Sequence, residues 1–205
     1  MLRYANPLVK VTIVPRGKAR GAAWYLPEER QITTTEALQD QLCALLGGRA
    51  AEDLFLERVS TGAANDLERV TKLAYAMVTY YGMSDKLPNI NYYEMQNDGW
   101  NLTKPYSDTT AEVIDAEVNR IISEQYERAK SILREHEAGH HELADLLLKR
   151  EVILADDVER IFGKRPWASR TEELLGLNAP ATATEETTAD AEAPIPVEGE
   201  EKTEE

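Results

Sequence analysis

From Ser107 to Leu147, apolar side chains recur at helical intervals: Ile114, Val118, Ile121, Ile122, Tyr126, Ala129, Ile132, Leu133, Leu143 and Leu147. That spacing marks one face of an α-helix. A helix with such a stripe buries it against other elements, so the pattern predicts a mainly α-helical body. Ser107 stands where an N-cap is needed, and Gly139 marks a break in the run. Thr33 and Glu36 are set as a capping box before Leu38, Leu42, Leu45 and Leu46. Asn65 and Glu68 are set likewise before Val70, Ala74, Met77 and Val78, and Gly82 suits a left-handed C-cap. A last short helix is predicted from Ala155 to Phe162, capped by Asp156. The predicted β element is small and N-terminal. Residues 8–14 alternate and are β-branched, Pro15-Arg16-Gly17 is turn chemistry, and Gly21 to Leu26 reads as a shorter second strand.

Charge and composition narrow the function classes. The net charge of −14 is unevenly placed, because residues 171 to 205 hold 11 Asp or Glu and one Lys. The remainder has no basic field to hold a phosphate backbone, which argues against nucleic-acid binding. The tail is rich in Ala, Thr, Glu and Pro and too poor in large apolar residues to offset ordering entropy, so residues 168–205 are expected to be a disordered acidic tail. No stretch approaches the apolar length of a membrane span, and no charged-then-apolar leader opens the chain. The single Cys43 excludes an internal disulfide framework and, beside Leu42 and Leu45, reads as a buried thiol. No GxxxxGK loop followed by Ser or Thr is present to cradle a nucleotide phosphate. Aromatic residues Tyr92, Tyr93 and Trp100 fall in a segment, Leu87 to Lys104, expected to be loop.

Residues 60 to 72, Ser-Thr-Gly-Ala-Ala-Asn-Asp-Leu-Glu-Arg-Val-Thr-Lys, place Asp66 in the first turn of a helix. An acid there can stabilise the helix end, or it can be one ligand of a metal held with other helices. The Gly47-Gly48 pair costs roughly 1 kcal/mol per residue inside a helix, and it suggests close approach by another backbone.

These segments together resemble the peptidase domain of the FtsH-type, membrane-anchored, ATP-dependent zinc proteases. The matching segments stand in the family's order: Val11 to Gly17, Trp24 to Glu28, Gly47 to Asp53, Ser60 to Asp66, Met77 to Ser84, Tyr106-Ser107 and Ile161 to Trp167. One departure is Arg20, where the family usually carries a small apolar residue. The resemblance implies that Asp66 is the third zinc ligand and that Glu52 lies in the shell behind it. The family's other two ligands are histidines of an HExxH helix, which stands just before the segment matched by Asn6 to Lys10. The resemblance therefore implies that residues 1–167 are a peptidase domain lacking its own zinc helix, inactive as an isolated chain. For the intact protein it implies zinc as cofactor, ATP through an ATPase domain outside this chain, a homo-hexamer and polypeptide substrates. It also implies a membrane anchor elsewhere, on the cytoplasmic side of the inner membrane, with this chain alone soluble and cytoplasmic.

A second HExxH, His136-Glu137-Ala138-Gly139-His140, occurs late in the chain. On a helix His136 and His140 would share a face, with Glu137 beside them as general base. The same two histidines also continue the apolar stripe through Ile132, Leu133, Leu143 and Leu147, which marks them as core-boundary residues. Three functions follow: part of a zinc endopeptidase, a non-catalytic oligomerisation module, or an autonomous zinc hydrolase that uses His136, Glu137 and His140.

Overall fold

The computed structural model describes residues 1–15, 21–27, 32–92 and 106–167. Arg16, Gly17, Arg20, Tyr93, Trp100 and the acidic tail lie outside the described residues. The elements run β1 (Leu8–Thr12), β2 (Ala22–Tyr25), α1 (Thr35–Leu56), a 3₁₀ turn (Thr61–Ala63), α2 (Ala64–Thr79), α3 (Asp108–Glu135), α4 (Glu137–Arg150), β3 (Val152–Leu154) and α5 (Ala155–Phe162).

Three helices make the main core. Leu38, Leu42 and Leu46 of α1 meet Val70, Ala74, Met77 and Val78 of α2 and Ile114, Val118 and Ile121 of α3. These are the periodic positions of the sequence, and each fully buried Leu or Met contributes about 1.5–3 kcal/mol relative to exposure. A second cluster joins Cys43 and Ala50 of α1 to Ala129 of α3, with Leu2 packed against it. Burial raises the Cys43 thiol above its ordinary pKa, as expected for a packed cysteine.

The helix ends differ in detail from expectation. Ser107 caps α3 by accepting from the Thr110 N–H. The cap of α1 is Thr34, one residue later than Thr33. α2 begins earlier than an Asn65 cap would place it. Ser60 caps the 3₁₀ turn by accepting from Gly62 N–H, the turn runs directly into the helix, and Glu68 pairs with Lys72 instead. Asp157, not Asp156, closes the start of α5, accepting from the Leu154 N–H at 3.1 Å. Gly82 has the expected positive φ of +60, but α2 ends earlier, at Thr79 with Tyr80 as its C-cap, so Gly82 turns the chain three residues beyond the helix and does not cap it.

The helical run after Ser107 breaks at His136, three residues before Gly139. Gly139 instead lies inside α4, where a Cβ would fall 2.5 Å from Cε1 of Phe162 on α5. That neighbour is a side chain, and the close backbone approach expected at Gly47-Gly48 is not found among the described residues. At Gly47 and Gly48 themselves a Cβ would meet nothing within 4 Å.

The sheet has the order β2-β1-β3, all antiparallel. Its third strand comes from the far end of the chain: Lys10 lies opposite Leu154, and the Thr12 hydroxyl donates to the Glu151 carbonyl at 2.9 Å. β1 is therefore the central strand of a sheet that joins both ends of the described chain. No helix among the described residues is long and apolar enough to cross a membrane.

Candidate metal-site groove

α1 is long enough to serve two purposes. Its first half packs into the core, and its second half carries Glu52 to the turn that precedes α2. Both oxygens of the Glu52 carboxylate are engaged by Ser60. The Ser60 hydroxyl donates to one at 2.5 Å and the Ser60 N–H to the other at 3.0 Å. These two bonds, first the hydroxyl and then the amide, hold the Glu52 pKa below its ordinary value, helped by Arg49 at 3.7 Å. The Ser60 hydroxyl also accepts from the Gly62 N–H. The turn from 60 to 63 is thereby tied to α1, and the turn sets where α2 begins.

Asp66 sits in the first turn of α2, half-buried, with Arg69 at 3.8 Å. It faces a groove of about 570 Å³ lined by Tyr4, Ala5, Asn6 and Tyr25 on one side and by residues of α1 that include Gln41, Leu45 and Gly48. The bare Gly48 lies along the same groove, where it has open space above it. The residues from the N-terminal segment were not legible as a site. They stand some sixty positions from Asp66, and only tertiary packing brings them beside it.

The second HExxH is elsewhere. His136 occupies the junction of α3 and α4, with its Nδ1 3.0 Å from the Ile132 carbonyl oxygen. His140 stacks on Phe55 of α1, with ring centroids 4.5 Å apart and planes at 13°. Its Nδ1 is buried and has no hydrogen-bond partner among the described residues. Burial, and then the neighbouring His141, lower its pKa. Glu137 is exposed and turned to His141 at 3.7 Å. Among the described residues no histidine lines the groove of Asp66.

A catalytic zinc takes three protein ligands and keeps one position open. Asp66 is a half-exposed carboxylate at a groove and suits one of those positions. Among the described residues, no group of three or more His, Cys, Asp or Glu side chains could hold a metal ion. The donor set here does not make up a zinc site by itself.

Known proteins place this arrangement. The profile of peptidase family M41 matches residues 1–161. An "ATP-dependent zinc metalloprotease FtsH" of Parabacteroides distasonis is 65% identical over 193 residues, 94% of this chain and 28% of that protein. The protein of the same name from Rhodothermus marinus is 50% identical, over 81% of this chain and 24% of its own length. The mouse "Mitochondrial inner membrane m-AAA protease component AFG3L2" is 42% identical, over 83% of this chain and 21% of its own length. The chain thus spans about a quarter of the relatives it matches. With a helical body, a small sheet and an acidic residue at the mouth of α2, the chain belongs to peptidase family M41, the FtsH-type zinc metalloproteases.

Proposed function

We propose that this chain is the C-terminal part of an ATP-dependent zinc metalloendopeptidase, and that Asp66 is one of its zinc ligands. The observation that carries the reading is the placement of Asp66: it faces a groove from a turn that Glu52 and Ser60 pin to α1. Bound zinc in such enzymes polarises a carbonyl and activates water. The residues of this chain present a carboxylate, hold it in place, and wall a groove in which an extended polypeptide could lie. Because they present only that one ligand, the isolated chain is proposed to be inactive, with the imidazoles and the ATPase module lying outside these 205 residues. The names of the relatives support zinc, ATP and proteolysis. For the intact protein we propose a homo-hexamer anchored at the inner membrane by a segment outside this chain, with residues 1–167 as the peptidase domain and 168–205 as a tail.

The test is a chimera. The Parabacteroides distasonis relative supplies the residues preceding the match, and this chain supplies the rest. The chimera should bind zinc and cleave casein, and this chain alone should do neither. Asp66→Asn in the chimera should lose zinc and cleavage, whereas His136→Ala and His140→Ala should keep both. Loss of cleavage in His136→Ala with Asp66→Asn intact would instead establish His136, Glu137 and His140 as an autonomous hydrolase site. A chimera that forms hexamers but never binds zinc would favour the oligomerisation module.

A further inference from the structure

The wall of the groove formed by Tyr4, Ala5 and Asn6 belongs to no helix or strand. The backbone groups of such a segment need partners outside a ladder, and side chains can supply them. Arg165, two residues beyond Gly163 at the end of α5, places a single terminal nitrogen, Nη2, 2.7 Å from two backbone carbonyl oxygens, those of Arg3 and Ala5. The guanidinium nitrogen carries two protons, so both bonds can be made at once. Between those carbonyls, the Tyr4 N–H donates to Oδ2 of Asp40 at 2.8 Å. Asp40 is 3% exposed, and its other oxygen accepts from Arg128 of α3 at 2.6 Å. Leu2 adds an apolar anchor against Cys43, Ala50 and Ala129.

Three consecutive residues are thus gripped at three backbone atoms by two side chains, Arg165 and Asp40, from distant parts of the chain. The separations of 162 and 160 residues between Arg165 and its two acceptors mean that nothing local sets this geometry. A buried carboxylate such as Asp40 is costly unless both oxygens are partnered, and here they are. The grip fixes backbone atoms of Arg3, Tyr4 and Ala5, and Tyr4 and Ala5 wall the groove.

We propose that Arg165 is a positioning residue for the substrate groove: together with Asp40 it clamps residues 3–5 so that Tyr4, Ala5 and Asn6 form a fixed wall of the groove that contains Asp66. The identity of the groove as a polypeptide site rests on the function proposed above. The clamp itself does not. It sets how a substrate backbone is held against the groove and takes no part in the reaction, so its loss falls on KM.

The experiment has two arms. In the full 205-residue chain, Arg165→Gln should speed hydrogen exchange at the Tyr4 amide about tenfold, as expected for loss of charge-assisted hydrogen bonds on the same strap. Exchange in the α1–α3 core should stay unchanged. In the chimera, Arg165→Gln should raise KM for fluorescein-labelled casein about tenfold and leave kcat and zinc content unchanged. Arg165→Lys, which keeps a charged donor, should recover part of the loss. Unchanged Tyr4 exchange would overturn the clamp. Parallel loss of kcat, zinc and melting temperature would also overturn the positioning role, by reducing Arg165 to a general stabiliser. If Asp66→Asn leaves zinc and cleavage intact, the reading of the groove fails instead, while the exchange arm still decides the clamp.

Discussion

The Ser60 hydroxyl and amide both close on the Glu52 carboxylate, one on each oxygen, across eight residues of chain. That pair fastens the last turns of α1 to the turn that launches α2. Glu52 is therefore two steps from Asp66: it holds Ser60, and Ser60 sets the 3₁₀ turn.

Glu52→Ala should loosen the Ser60 and Gly62 amides, read as faster hydrogen exchange at both with the α1–α3 core unaffected. In the chimera it should weaken zinc affinity by about 10- to 100-fold, the range typical for a residue that orients a ligand. Loosened amides with unchanged zinc affinity would disconnect this turn from the metal site.

The glycines of the two helices should respond oppositely. Gly48→Ala adds a methyl to open space, so in this chain helix propensity alone acts and stability should rise by about 1 kcal/mol. Gly139→Ala drives a methyl into the Phe162 ring and should lower the melting temperature unless the ring moves aside. Thermal melts of both variants decide the matter, and a destabilised Gly48→Ala would show that a neighbour covers that face.

The stack of His140 on Phe55 should make stability depend on pH near neutrality. Burial and His141 disfavour the imidazolium, so the folded pKa lies below the ordinary 6.5. The unfolded chain then takes up the proton first. Stability is full above about pH 7.5, falls as pH drops through 6.5, and levels off below the folded pKa. His140→Phe keeps an aromatic ring on Phe55 and should flatten that slope. An unaltered slope in the variant would assign it to another group.

A separate acid limb should come from Glu117. This carboxylate is 5% exposed and accepts from Arg120 at 3.0 and 3.1 Å and from the Ser84 hydroxyl at 2.7 Å. Arg120 first, and Ser84 with it, holds its pKa below the ordinary 4.5. Its contribution is present above about pH 4.5 and is lost as pH falls through the lowered folded value. Glu117→Gln should cost about 1.5–3 kcal/mol at pH 7, the usual worth of hydrogen bonds to a charged group, and should blunt acid unfolding. Denaturant titrations at pH 7 and pH 4 provide the comparison.

What could be read from the sequence was what local spacing encodes. The stripe from Ile114 to Ala129 predicted the core face of α3, Ser107 marked the start of that helix, and Gly82 was legible as a left-handed position although α2 ends three residues before it, because capping and left-handed geometry are properties of single residues. β3 could not be read. Three residues, Val152–Leu154, carry no alternation, and their partner lies at the other end of the chain. Gly139 misplaced the helix break because its reason for being glycine is Phe162, a contact across elements. At the groove, Asp66 was legible as a first-turn acid beside a family motif. Tyr4, Tyr25 and Arg165 were not legible there: Tyr25 and Arg165 lie in family-matching segments, but only tertiary packing brings all three to the groove and its wall.

The central position of β1 also bears on how the chain acquires its structure in time. β1 precedes β3 in synthesis and can pair with β2 first, whereas the Glu151 carbonyl that receives the Thr12 hydroxyl lies 139 residues later. At ordinary rates of synthesis that interval lasts roughly 7 to 28 s. During it one edge of β1 stays open to solvent while α1, α2 and α3 are already available to condense. Until β3 is made, the edge of β1 that it covers has no partner in this sheet, and an open strand edge invites pairing with another chain.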